Sequence, residues 1–379
     1  MKVGHWIGGA VASALLIAAP ATATAAVQYI LTDLGDLPGG SDYSYANGIN
    51  NAGQVVGYSI AATGYRAVLW SGGVMTDLGD LPGGDDYSYA TGINDAGQVV
   101  GYSAAATGVH AVLWSGGATT DLGVLPGGSD YSLATGINGA GQVAGYGAAA
   151  TGVHAFLWSG GVMTDLGDLP GGTDYSRTYG INDAGQVVGV SGAATGNRAF
   201  LWTADGGMQD LGDLPGGSDF SVATGINAAG QVAGYSDAAT GTRAVLWSGG
   251  VMTDLGDLPG GIDFSAAFGI NGAGQVVGQS EAATGAHAFL WTAGGGMQDL
   301  NDLIDPLAGW VLQEARGINA SGQIVGWGVN ADGFTHAFLL TPFTASATVP
   351  EPATWAMLIA GFGAVGTALR RRRRAPAAA

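Results

Sequence analysis

Gly92-Ile93-Asn94-Asp95-Ala96-Gly97-Gln98-Val99-Val100-Gly101 decides how this chain folds, because near-copies of it return along the whole body. Gly-Ile-Asn recurs at Gly48, Gly92, Gly136, Gly180, Gly225, Gly269 and Gly317, in steps of 44, 44, 44, 45, 44 and 48 residues. A fixed period of that size marks one supersecondary unit stacked on copies of itself. It also sets how each polar residue is weighed, since a residue present in every copy is there first to build the copy.

Working outward from the quoted stretch, one copy predicts four short strands. Residues 87–94 form the first, and Asp95-Ala96-Gly97 turns the chain. Residues 98–103 form the second, a small loop covers 104–108, and residues 110–114 form the third. Ser115-Gly116-Gly117 turns again into a fourth at 119–123. Each strand is short and bounded by glycine-bearing turns. In the Asn-x-x-Gly-Gln turn, as at Asn50 to Gln54 and Asn319 to Gln323, the Asn side chain bonds its own backbone two residues on and the Gly accepts a positive φ. Ala67-Val68-Leu69-Trp70 is apolar on both faces, as a strand is when its sheet is covered on both sides. Four such strands in about 44 residues match a β-propeller blade.

The ends of the array predict how it closes. A lone fourth-type strand, 28–35, precedes the first copy, and the last copy has only three strands, ending at 336–340. The orphan fits the vacancy. The expected fold is therefore all-β, a seven-bladed β-propeller over residues 27–343 whose N-terminal strand completes the last blade and leaves no free sheet edge at the seam. The alternative is an open β-solenoid, which needs polar caps that neither terminal unit carries.

Both termini read as targeting segments. Residues 1–25 have a basic Lys2, an apolar run from Ile7 to Ala19 and a small-x-small Ala23-Thr24-Ala25, the pattern of a Sec signal peptide. After a linker at 344–349 comes Pro350-Glu351-Pro352, an uncharged run of 17 residues at 353–369 that suits one transmembrane helix, and Arg370 to Arg374. Residues 350–374 closely resemble the PEP-CTERM sorting signal of Gram-negative bacteria. That resemblance implies an exosortase-type membrane peptidase as partner, transient residence in the inner membrane, and delivery to the cell surface or the extracellular polymer.

Charge narrows the partners. The whole chain carries −18, but between Val27 and Pro350 there are 28 acids against five arginines, hence −23. Such a body repels phosphate backbones, so nucleic acid is not an expected partner. The absence of cysteine excludes disulfides and thiolate chemistry.

The phrases Gly-Ile-Asn-x-Ala-Gly-Gln-Val-Val-Gly, His-Ala-Phe-Leu-Trp and Asp-Leu-Gly-x-Leu-x-Gly-Gly resemble the HAF family of extracellular repeats across residues 28–343. The triplet stands at His154-Ala155-Phe156, His287-Ala288-Phe289 and His336-Ala337-Phe338, whereas Arg66, Arg198 and Arg243 replace the His elsewhere. The resemblance implies an exported protein and supplies no active-site residues.

Candidate sites follow from what repeats and what does not. The Arg/His position (Arg66, His110, His154, Arg198, Arg243, His287, His336) is read as pairing with Asp of its own or the next blade, with anion or metal capture as the rival. The Asp-x5-Asp loops, such as Asp36 with Asp42 and Asp80 with Asp86, offer oxygens to calcium, although turn chemistry beside Pro-Gly-Gly explains the same residues. The repeated Trp70, Trp114, Trp158, Trp202, Trp247 and Trp291 read as interblade core. Asp302, Asp305, Trp310, Glu314 and Arg316 in the longest step, with Arg177, break the repeat and are the ligand-binding candidates, although irregularity of the ring-closing blade explains the longest step as well; Trp327 is also off-pattern. Singular, environment-tuned acid-base groups are lacking, so no enzyme is expected. The reading is a binding module for polysaccharide or protein. A structural component of the extracellular polymer is the alternative, and a glycoside hydrolase using the last blade is a third.

Overall fold

Each copy of the repeat folds as one antiparallel sheet of four strands. In the computed structural model, which describes residues 27–344, a strand β1 (Val27–Asp33) comes first. The first sheet then consists of β2 (Ser44–Ile49), β3 (Val55–Ala61), β4 (Gly64–Ser71) and β5 (Val74–Asp77), paired in that order. Seven such four-stranded units follow one another, and the fourth, fifth and sixth are linked by single parallel bridges, Asn197 to Phe220 and Thr242 to Phe264. The expected loop at 104–108 is tighter than the sequence suggested. The second strand of that copy runs to Ala105 and the third begins at Gly108, leaving a two-residue turn. The signal peptide 1–25, Pro350-Glu351-Pro352 and the span 353–369 lie outside the described residues, as does the linker 344–349 beyond Thr344, the last residue of the final strand.

The chain closes on itself. β1 pairs with Thr335–Thr344, which is followed inward by Ile324–Val329 and Val311–Ile318. Leu34 N–H donates to Ala337 O at 3.0 Å, and Tyr43 bridges Thr335 in parallel. An open solenoid would leave these groups without partners.

The core lies between blades, not within them. Seven apolar clusters each join two neighbouring sheets, and one of them ties Ala46, Val55, Val68 and Trp70 of the first sheet to Val325 and Ala337 of the last. The third residue of every His/Arg-Ala-Val/Phe triplet fills a junction: Val68, Val112, Phe156, Phe200, Val245, Phe289 and Phe338 are all fully buried. Burying each contributes roughly 1.5–3 kcal/mol. The repeated tryptophans pack in the same clusters, where Trp70, Trp114 and Trp247 are buried. Within each sheet the first two strands come close at a glycine of the second. A Cβ on Gly101 would lie 1.8 Å from Tyr89 O.

Three repeated polar side chains staple the blades. Backbone N–H groups of Ala96 and Gln98 donate to Asn94 Oδ1 at 3.1 and 3.0 Å, the local turn bonds the sequence foretold, and Gly97 sits at φ 74°. Asn94 Nδ2 donates onward to Asn138 O. The same bond runs from Asn50 to Asn94, Asn138 to Asn182, Asn182 to Asn227, Asn227 to Asn271, Asn271 to Asn319 and Asn319 back to Asn50, all at 3.0–3.1 Å. A closed circle of seven buried amides therefore joins the sheets around the axis. Buried serines add to it: Ser88 Oγ accepts from Ala67 N–H of the preceding blade, and Ser44 Oγ does so from Ala337 N–H across the seam. Ser103 Oγ accepts from Leu81 N–H in the linking loop.

Candidate functional site

The first strand of every sheet faces the central axis, and an irregularity in that strand builds the site. In β2, Ala46 opposes Gly57 and Gly48 opposes Val56, so Asn47 is an extra residue. The same bulge occurs in all seven first strands. A bulge re-aims the inserted side chain. Here it turns Asn47, Thr91, Thr135, Tyr179, Thr224, Phe268 and Arg316 into the channel, where all seven line one cavity of about 560 Å³. The glycines and isoleucines that follow them, from Gly48 and Ile49 to Gly317 and Ile318, line the next stretch of the axis, about 200 Å³. The scaffold repeats, but the bulge position does not.

Aromatic rings form the rest of the wall. Tyr45 stacks on Tyr58 (5.2 Å between centroids, 10°) and Tyr89 on Tyr102 (5.1 Å, 13°). Tyr58 meets Tyr89 across the blade junction at 4.3 Å, and Tyr45 meets Trp327 at 4.8 Å. An arc of rings thus runs through three blades, from Trp327 to Tyr102. Burial pushes the phenols of Tyr45, Tyr58, Tyr89 and Tyr102 well above their ordinary range, and neighbouring hydroxyls add to the effect. They are neutral donors and acceptors at any physiological pH. Tyr235 is pushed up to about 12, again chiefly by burial.

The off-pattern residues divide between two places. Arg316 lies over the Phe268 ring at 4.8 Å and pairs through Nε with the buried Glu314, whose cross-strand neighbour is Trp327. Arg177 lies over Tyr146 at 4.8 Å and Tyr175 at 5.3 Å. Of these, Arg316 lines the axial cavity; Glu314 and Trp327 stand beside it in the last sheet, and Arg177 lies in the fourth sheet against Tyr146 and Tyr175. Asp302, Asp305 and Trp310 do not join them. They line a groove of about 810 Å³ beside Tyr29 and Leu31 of β1, at the outer edge of the last sheet. Two 3-10 turns, Leu300–Leu303 and Pro306–Ala308, carry them there. Asp305 caps the second turn by accepting from Leu307 N–H at 2.9 Å. Asp305 and Glu314 therefore face different surroundings.

The Asp pairs expected to offer calcium its oxygens have an arginine or a histidine beside them. Arg66 reaches Asp80 at 3.0 Å and Asp86 at 2.9 Å, so its guanidinium fills the space between those two carboxylates. At the seam, Asp36 lies 4.0 Å from His336 Nε2, and Asp42 is exposed. Burial raises the Asp36 carboxyl above its usual value, against the pull of His336.

The tyrosine arc was missed by sequence reasoning. Its signal was present: Tyr45 and Tyr58, like Tyr89 and Tyr102, occupy matching places in the first two copies, where later copies carry Leu133, Arg177, Val222, Ala266 and Glu314 at the first of these positions.

Comparison with known proteins supports the architecture and the sorting signal. Residues 348–374 match the PEP-CTERM protein-sorting motif, which implies exosortase processing and sorting toward the cell surface. No curated protein sequence matches the chain. The β-propeller domain of the Trilobed protease from Pyrococcus furiosus is similar in structure, with a TM-score of 0.51, 9% identity, and coverage of 81% of this chain and 97% of that one. That likeness shows the β-propeller fold alone. The Pyrococcus domain has an open velcro topology, whereas here β1 zips onto Thr335–Thr344. A protein of unknown function from Dyadobacter fermentans matches at a TM-score of 0.37 with 10% identity, over 84% of this chain and 99% of that one, a likeness too slight to carry an argument.

Proposed function

We propose that this protein is a HAF-type surface module, without catalytic activity, that binds a saccharide chain at the mouth of its central channel. The observation that carries this reading is the cavity of about 560 Å³ lined by the neutral phenols of Tyr45, Tyr58, Tyr89 and Tyr102, with Trp327 in contact with Tyr45. Sugar rings present a C–H face that packs on aromatic faces and hydroxyls that need donors and acceptors close by. Phenols supply both, and Arg316, held against Glu314, adds a fixed fork of donors. The −23 body disfavours a strongly anionic polymer, so the preferred chain is neutral.

A glycan array followed by calorimetry on the hits tests the reading. Tyr58→Ala with Tyr89→Ala is expected to weaken binding by about 1.4 kcal/mol or more, tenfold in Kd. Trp310→Ala, in the outer groove, is expected to leave it unchanged. If no glycan binds and the protein stays in the polymer fraction, the structural-component reading replaces this one.

A further inference from the structure

At six of the seven blade junctions the Arg/His side chain of a third strand forms a clasp by facing an aspartate of the following loop, the exception being His287, which meets only Asp299 of its own sheet. In three blades a guanidinium fills the clasp: Arg66 lies between Asp80 and Asp86, Arg198 between Asp213 and Asp219, and Arg243 between Asp257 and Asp263. The third blade keeps both aspartates, Asp168 and Asp174, but carries His154. Imidazole is shorter than guanidinium and does not reach between the two carboxylates.

The His154 ring is 8% exposed and fixed from one side. Its Nδ1 bonds Asp165 Oδ2 at 2.8 Å, so Nδ1–H donates and Nε2 is the nitrogen left to meet a cation. Nε2 is buried and has no hydrogen-bond partner; it faces Asp174 Oδ1 at 3.8 Å. One ligand atom each from His154, Asp168 and Asp174 lies within 4.8 Å of the others. Asp174 is half-exposed and free to close that distance. A carboxylate holding the far nitrogen of a histidine is the arrangement that orients metal ligands.

We propose that His154, Asp168 and Asp174 bind one divalent transition-metal ion, of which zinc is the fitting probe. One imidazole and two carboxylates suit a borderline cation at about 2.0–2.2 Å, whereas calcium takes six to eight oxygens. The ion supplies the positive charge that the guanidinium supplies in the other blades, and it locks the same interblade loop.

His110 and His287 act as internal controls. His110 has the same unpartnered Nε2, but Val124 stands where Asp168 would be, so its site is one ligand short. His287 Nε2 is already bonded to Thr284 Oγ1 at 2.8 Å. His336 repeats the pattern loosely, with Nδ1 on Asp33 and Nε2 4.0 Å from Asp36.

The test uses the untagged full chain, stripped with chelator and titrated with zinc by calorimetry, with melting followed in parallel. His154→Arg restores the guanidinium clasp, so it is expected to fold, to melt like the metal-free parent, and to bind one zinc equivalent fewer. Val124→Asp supplies the missing ligand beside His110 and is expected to add one equivalent. Cobalt is expected to give a visible absorption band that His154→Arg removes, and calcium to raise the melting temperature in neither protein. Equal zinc stoichiometry in the parent and in His154→Arg overturns the proposal. So does a clasp that responds to pH alone, with no zinc taken up, which would show a proton in place of the metal.

Discussion

Replacing Asn94 by alanine tests the amide circle directly. The side chain is 5% exposed and makes four hydrogen bonds: it accepts from Ala96 N–H and Gln98 N–H, and donates to Gln98 Oε1 and Asn138 O. At roughly 0.5–1.5 kcal/mol net for each bond, truncation is expected to cost about 2–6 kcal/mol. Some of the freed groups regain water at the turn, which places the expectation near 3 kcal/mol. With an unfolding entropy of about 2.1 cal/mol/K per residue over the described body, that is a fall of roughly 5 °C in melting temperature. Asn94→Asp separates the two halves of the role. It keeps the acceptor for the turn but sets a carboxylate against Asn138 O and Gln98 Oε1, so its cost reads the two donor bonds together. Scanning calorimetry and urea unfolding measure both variants against Asn197→Ala, an exposed asparagine. An Asn94→Ala protein within about 0.5 kcal/mol of the parent, the range of an ordinary surface change, would refute the claim that the circle holds the blades.

Alkaline pH is expected to unfold the ring. Burial raises the phenol pKa of Tyr29, Tyr45, Tyr58, Tyr89, Tyr102, Tyr146, Tyr179 and Tyr235. Above the unfolded value of about 10 the unfolded chain sheds protons that the native one keeps, so stability is flat below that pH and falls as pH rises beyond it. Melting temperature and phenolate absorbance, followed together, check this; phenols that ionise freely near pH ~10 in a folded protein would contradict it. Deleting residues 27–33 removes Tyr29 and Leu31 from the last junction and bares the edge of Thr335–Thr344. The expected outcome is a lower and broader melt, and a deletion protein that melts like its parent would disprove closure by β1.

Legibility followed the range of the interactions. The turn half of the Asn94 role lies within four residues and was readable from Asn-x-x-Gly-Gln. The bond to Asn138 was not, because it depends on how two sheets are set side by side. The orphan strand and the three-stranded last copy pointed to the seam because a strand count is local information. The channel lining was hidden by the bulge: a period-2 reading of residues 44–49 has no place for the extra Asn47, and so does not show which side chains reach the axis. The last copy misled most. Asp302 to Arg316 is one short stretch of sequence, yet two 3-10 turns leave its first half at the rim while Val311–Ile318 takes its second half to the axis.

The bulge residues give the channel a handed, uneven rim within an evenly divided frame. Asn47, Thr91 and Thr135 sit together on one side with the tyrosine pairs, while Tyr179, Thr224, Phe268 and Arg316 continue round the other. A guest on the axis therefore does not meet seven equivalent settings. Turning it by one blade brings its hydroxyls from phenols to a guanidinium, so a single orientation is preferred. Because the bulge side chain varies from copy to copy while the buried clusters stay apolar, substitution there changes which guest fits and leaves those clusters as they are.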